Sequence, residues 1–117
     1  MSLPLLNCAV RFQERVMDHP ERTAFFSLKR GAITFRELDR LVGQGQSLLN
    51  ECGVDSHTPV VLAALPSPEM FAFLLSTLAR GATILLIEPW LPLQEVAEII
   101  RSLKPRVFFA GDRKSVV

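Results

Sequence analysis

Apolar residues recur at helical spacing near the start of the chain. Leu5, Ala9, Phe12 and Val16 stand at i, i+4, i+7 and i+11, with Arg11, Glu14, Arg15 and Asp18 on the other side. This predicts an amphipathic helix over residues 4–18, ended by His19-Pro20. The apolar and aromatic run Thr23–Leu28, the turn residues Lys29-Arg30-Gly31-Ala32 and the short Ile33–Phe35 predict two strands joined by a tight turn. Thr34-Phe35-Arg36-Glu37 has capping-box spacing. After it Leu38, Leu41, Val42, Gly45, Leu48, Leu49 and Cys52 form one apolar stripe, and Gly53 stands where a left-handed C-terminal cap belongs. Gly43 and Gly45 fall inside this helix, where close helix packing accounts for them better than a phosphate loop.

The second half changes rhythm. Pro59–Leu65, Ala82–Ile87 and Arg106–Ala110 are short, nearly continuous apolar runs, the pattern of parallel strands covered on both faces. Ser67-Pro68 caps and opens a helix to Arg80 that is apolar almost all round and therefore expected to be buried, with Gly81 closing it. Pro92 opens another, whose stripe is Val96, Ile99, Ile100 and Leu103 and whose stop is Lys104-Pro105. The alternation predicts an α/β fold: a doubly wound, mostly parallel sheet with helices on both faces. The last strand is expected to be central.

Length and composition support one folded unit. A chain of 117 residues, 49% apolar and 21% charged, fits one α/β domain over residues 1–117. Its ending soon after a strand reads as a cut in a longer protein. Thirteen basic and twelve acidic residues give a net charge of +1 and divide evenly along the chain, so neither nucleic acid nor an anionic membrane is an expected partner. No uncharged run reaches membrane-spanning length. Cys8 and Cys52 lie outside any metal-ligand spacing and are expected as buried free thiols in a reducing, cytoplasmic setting.

Candidate chemistry is sparse. Ligands of open α/β sheets collect at the carboxyl ends of the strands, which singles out Glu88, Trp90 and Asp112 as substrate-binding candidates. The plainer readings are solvated loop carboxylates and a tryptophan covering the sheet edge. His19 and His57 lack a nucleophile elbow to serve. No glycine-rich phosphate loop, dinucleotide fingerprint or set of receiver-domain acids is present. Catalytic, cofactor-binding and metal residues are therefore assigned to none of these positions.

Two stretches resemble a known family. Ile33-Thr34-Phe35-Arg36-Glu37-Leu38 resembles the first core motif, L-[TS]-Y-x-E-L, of the adenylate-forming enzymes, which include acyl-CoA synthetases, peptide-synthetase adenylation domains and luciferases. Leu78 to Pro89 resembles the second, L-K-A-G-x-A-Y-x-P-x-D, with Arg80 where lysine is usual and Glu88-Pro89 at its end. Pro20–Ala24, Gly53-Val54, Pro68–Phe71 and Lys104-Pro105 also agree, so the similarity spans residues 5–111. The resemblance implies the N-terminal subdomain of an ATP-dependent acid-thiol ligase. Such an enzyme uses ATP and Mg²⁺ to form an acyl-adenylate and passes it to coenzyme A or a carrier thiol. The family's phosphate loop is not in this sequence, which makes the chain alone an expected inactive scaffold whose partner is the remainder of its parent chain. A stand-alone α/β interaction module, acting through self-association as a homodimer or through a partner subunit, is the alternative.

Overall fold

The structure is a computed structural model and describes residues 7–110. Asn7 caps the first helix, α1 (Cys8–Asp18), by accepting the Ala9 N–H at 2.8 Å. Its side-chain amide donates to the Leu78 carbonyl at 2.9 Å and so ties the start of α1 to a distant helix end. The expected beginning of this helix at residues 4–6 lies outside the described residues. Strands β1 (Thr23–Ser27) and β2 (Gly31–Thr34) form a separate antiparallel hairpin, with Gly31 at φ +75° in the turn region.

Helix α2 (Phe35–Glu51) starts at the foreseen cap, where the Thr34 hydroxyl accepts the Glu37 N–H at 3.1 Å. The capping box is not reciprocal through the backbone: the Glu37 carboxylate accepts the Thr34 hydroxyl at 3.2 Å instead. Two other first-turn amides, Phe35 and Arg36, donate to the carbonyls of Arg22 and Pro20, each at 3.0 Å. At the far end Gly53 has φ +73°, the conformation a Cβ disfavours.

Strands β3 (Pro59–Ala63), β4 (Thr83–Leu86) and β5 (Val107–Ala110) make a parallel sheet in the order β4-β3-β5. Val60 pairs with Ile84 on one side and Val107 on the other. The central strand is therefore β3; β5, expected in the centre, has a partner on one side only among the described residues. Helix α3 (Pro68–Ala79) joins β3 to β4, and α4 (Leu93–Leu103) joins β4 to β5. These connections run in opposite directions across the sheet, so right-handed crossovers put α3 and α4 on opposite faces.

The core sits where the sheet meets α2 and α3. Leu49, Val54, Val60, Leu62, Phe73, Ala82 and Val107 form one cluster, and Phe12, Ile33, Leu38, Val42 and Ala72 form a second beneath the hairpin. Helix α3 is largely buried, as its composition foretold; its buried Ser76 and Thr77 hydroxyls donate to the Ala72 and Phe73 carbonyls at 2.7 and 2.8 Å. Gly45 lets α2 approach α3, because a Cβ there would overlap the Ser76 hydroxyl. Three expectations are corrected. Cys8 is exposed and Cys52 only half-buried, since Cys8 opens α1 on its outer side. Strand β4 is mostly exposed rather than covered on both faces. In the stripe of α4, Ile100 is exposed, and no residue of that helix is fully buried.

Candidate functional site

All three parallel strands end at one edge of the sheet, and the loops after β3 and β4 form the described part of that edge. Glu88 and Trp90 lie there on a single turn, closed by the Leu91 N–H donating to the Glu88 carbonyl at 3.1 Å. The turn leaves both side chains in solvent. Glu88 makes no salt bridge among the described residues, and Trp90, at 73% exposure, does not cover the sheet edge. Asp112 lies outside the described residues. His57 precedes β3 and therefore stands at the opposite end of the strands, roughly 15 Å from Glu88 at about 3.3 Å per strand residue.

A helix N-terminus at this edge is where an α/β protein ordinarily takes phosphate. α4 opens there without a side-chain cap, whereas the first turn of α3 has few amides to offer. The Ser67 hydroxyl accepts the Met70 N–H at 3.0 Å, Pro68 has no N–H, and Glu69 places a negative charge in the first turn of α3. Arg30 from the hairpin meets that carboxylate at 2.6 Å. The first turn of α2 is filled in the same way by Thr34, Pro20 and Arg22. No group of three or more His, Cys, Asp or Glu residues suited to a metal occurs among the described residues. No cluster of carboxylates for Mg²⁺ and no glycine-rich loop for a triphosphate stands among the described residues, and no step of nucleotide chemistry is assigned to them.

The two motif stretches instead hold the framework together. Thr34 and the amides behind it clamp the Pro20–Arg22 loop onto α2. Arg80, after α3, donates through Nε to the Val54 carbonyl at 2.8 Å and reaches Gln46 and Asn50 at 3.4 and 3.3 Å. Its cation so sits against the C-terminal end of α2, where the helix dipole favours it. Asp55 does similar local work. Its carboxyl accepts the His57 N–H and the Thr58 hydroxyl, at 3.0 and 2.8 Å, and those bonds hold it below its ordinary value of 3.8.

One concavity was not legible in the sequence. A groove of about 230 Å³ runs between α2 and α3 to the edge of β5, lined by Leu41, Leu48, Ala72, Phe73 and Phe109 with Gln44 and Glu69 at its polar rim. The Phe73 and Phe109 rings stack in it with centroids 4.5 Å apart. Its walls come from three separated segments, so no local motif announces it.

The layers and strand order define a doubly wound α/β unit with helices on both sheet faces, of the kind found within adenylate-forming enzymes. The AMP-binding enzyme family matches residues 12–117, and the chain belongs to that family. Bacitracin synthase 3 of Bacillus licheniformis is 31% identical over 112 residues, covering 86% of this chain and 2% of the relative. The N-terminal subdomain of Klebsiella oxytoca NpsA, solved in complex with 3-hydroxybenzoyl-AMSN, superposes with a TM-score of 0.78 at 23% identity, covering 89% of this chain and 26% of that one. A Mycobacterium tuberculosis fatty acyl CoA synthetase gives a TM-score of 0.78 at 19% identity, covering 85% of this chain and 20% of that one. These structural likenesses show the fold. The chain thus spans a small part of its relatives, and only about a quarter of a solved N-terminal subdomain.

Proposed function

We propose that this chain is a scaffold portion of a carboxylate-activating ligase. In the whole enzyme ATP and Mg²⁺ would convert an acid to its acyl-adenylate, and a thiol would then take up the acyl group. The thiol is either coenzyme A or a carrier-bound thiol: a fatty acyl CoA synthetase among the structural neighbours favours the first, and the resemblance to peptide-synthetase adenylation domains favours the second. The observation that carries the scaffold role is that both motif stretches are spent on holding the framework together. The first-turn amides of α2 are bound by the chain's own groups, and Arg80 of the second stretch is bonded to the end of α2. The remainder of the parent polypeptide is the proposed partner. Two free cysteines fit a reducing compartment, so a cytoplasmic location belongs to the proposal. Among the described residues, no helix is long and apolar enough to cross a membrane.

The test is a fusion of the full 117-residue chain to the part of the NpsA subdomain that lies beyond the match. If the chain is an equivalent scaffold, the fusion binds 3-hydroxybenzoyl-AMSN within about tenfold of the natural subdomain's affinity, a difference of about 1.4 kcal/mol. A folded fusion with no detectable binding contradicts the proposal.

A further inference from the structure

Strand β4 forms an open edge of the parallel sheet: among the described residues it pairs with β3 alone. The Thr83 and Ile87 N–H groups point to that neighbour, donating to the Thr58 and Leu62 carbonyls at 3.2 and 3.0 Å. The two-residue period of a strand therefore turns the N–H and C=O groups of Ile84 and Leu86 outward. Natural edges are blunted by a charge, a proline or a bulge. β4 carries none of these: its register with β3 is regular from Thr83 to Leu86, and no charged residue stands between Arg80 and Glu88. By contrast β5 follows directly on Arg106, and the turn of the β1–β2 hairpin holds Lys29 and Arg30. The side chains along the β4 edge are apolar and open, Leu85 at 37% exposure and Leu86 at 59%.

We propose that β4 pairs with β4 of a second copy of this chain, antiparallel across a two-fold axis at Leu85. The strand is self-complementary in that arrangement. Its outward groups at Ile84 and Leu86 lie two residues apart, so Ile84 faces the partner's Leu86 and Leu86 faces the partner's Ile84, each pair exchanging two hydrogen bonds. Between them Leu85 meets the partner's Leu85 as a non-hydrogen-bonded pair, with Cα atoms about 4.5 Å apart. Leu85 is in register with Val61, and Ile84 and Leu86 with Val60 and Leu62, so the axis contact lies on the α4 face and the other two on the α2/α3 face. Both apolar flanks of the edge are covered together. Charge complementarity agrees: Glu88 stands three residues from the axis, which keeps the two copies' Glu88 carboxylates about 20 Å apart along the strands. Such a contact uses the same patch on both copies and closes as a dimer. Two four-residue edges make a small interface, so the dissociation constant is expected at about 0.1 mM. This pairing goes beyond the scaffold reading and does not rest on it.

Sedimentation equilibrium and hydrogen exchange on the 117-residue chain, from about 5 µM to about 2 mM, test this. A monomer–dimer equilibrium is expected. Across that range the Ile84 and Leu86 amides slow about threefold or more, while the Leu85 amide, turned toward β3, does not change. Leu85→Lys and Leu85→Glu each set like charges face to face at the axis and leave the chain monomeric; mixed in equal amounts, they pair again. That recovery requires position 85 to stand opposite itself. A parent chain that stays monomeric at the highest concentration overturns the proposal, as does growth beyond a dimer. Association unchanged by Leu85→Lys overturns it by placing the contact elsewhere, and so do two charged variants that are folded by circular dichroism yet do not pair when mixed. Ile84 and Leu86 amides already slow at the lowest concentration would mean that the edge is covered from within, which also overturns it. The exchange measurement uses the parent chain and decides the matter even where a charged variant is unfolded.

Discussion

The two faces of the parallel sheet are built to different standards. On one, Val60, Leu62 and Val107 meet Leu49 of α2 and Phe73 of α3, all at 3% exposure or less. On the other, Val61 is fully buried and Ala63 nearly so, yet α4, the helix of that face, buries no residue completely and leaves Leu93 at 81% exposure. The first face has two helices locked together by the Gly45–Ser76 contact; the second has one helix. Stability is therefore expected to reside in the α2/α3 layer, and α4 to behave as a loosely held cover.

Truncation of the tight face gives the largest effect that can break this comparison. Phe73→Ala should cost about 3–5 kcal/mol in chemical denaturation, from lost transfer energy and the cavity left against Phe109. A loss below 1 kcal/mol would show that the α2/α3 layer is not the stable one. Overpacking is next: Gly45→Val pushes a branched side chain into Ser76, whose hydroxyl also lies 2.9 Å from the Val42 carbonyl, and should cost about 1–3 kcal/mol. Gly53→Ala strains the left-handed end of α2 and should cost about 1 kcal/mol, read as a shift in the urea midpoint. On the loose face Leu93→Ala should stay within about 0.5 kcal/mol of the parent chain; a larger loss would mean that α4 is anchored through it.

The smallest expected effect is with pH. The Asp55 carboxyl is lowered in the folded state, so its contribution is present above about pH 4 and fades as pH falls through the lowered value. Asp55→Asn should lower the thermal midpoint slightly at pH 7, with the difference from the parent chain shrinking as pH falls below about 4.

Much of this was legible because the signals are local. Thr34, Ser67 and Gly53 announce helix ends through hydrogen-bonding and φ requirements that act within four residues, and the apolar runs at β3 and β5 mark a parallel sheet. What sequence could not give is set by distant neighbours. Cys8 is exposed because of the side of α1 it occupies, and β4 is open because only β3 flanks it among the described residues. The capping box is not reciprocal through the backbone because the Glu37 carboxylate accepts the Thr34 hydroxyl in place of its N–H. At the candidate site the topological rule located the turn of Glu88 and Trp90 correctly, but not that it would stand in solvent. The groove at Phe109 stayed hidden because residues near 45, 72 and 109 meet only through the fold.

Isothermal titration of the 117-residue chain with ATP in the presence of Mg²⁺ addresses the scaffold role most directly. No saturable heat up to millimolar nucleotide is the expected result, because both motif stretches are bonded within the protein and no glycine-rich phosphate loop stands among the described residues. Micromolar binding would contradict the account and place a working nucleotide site on this chain.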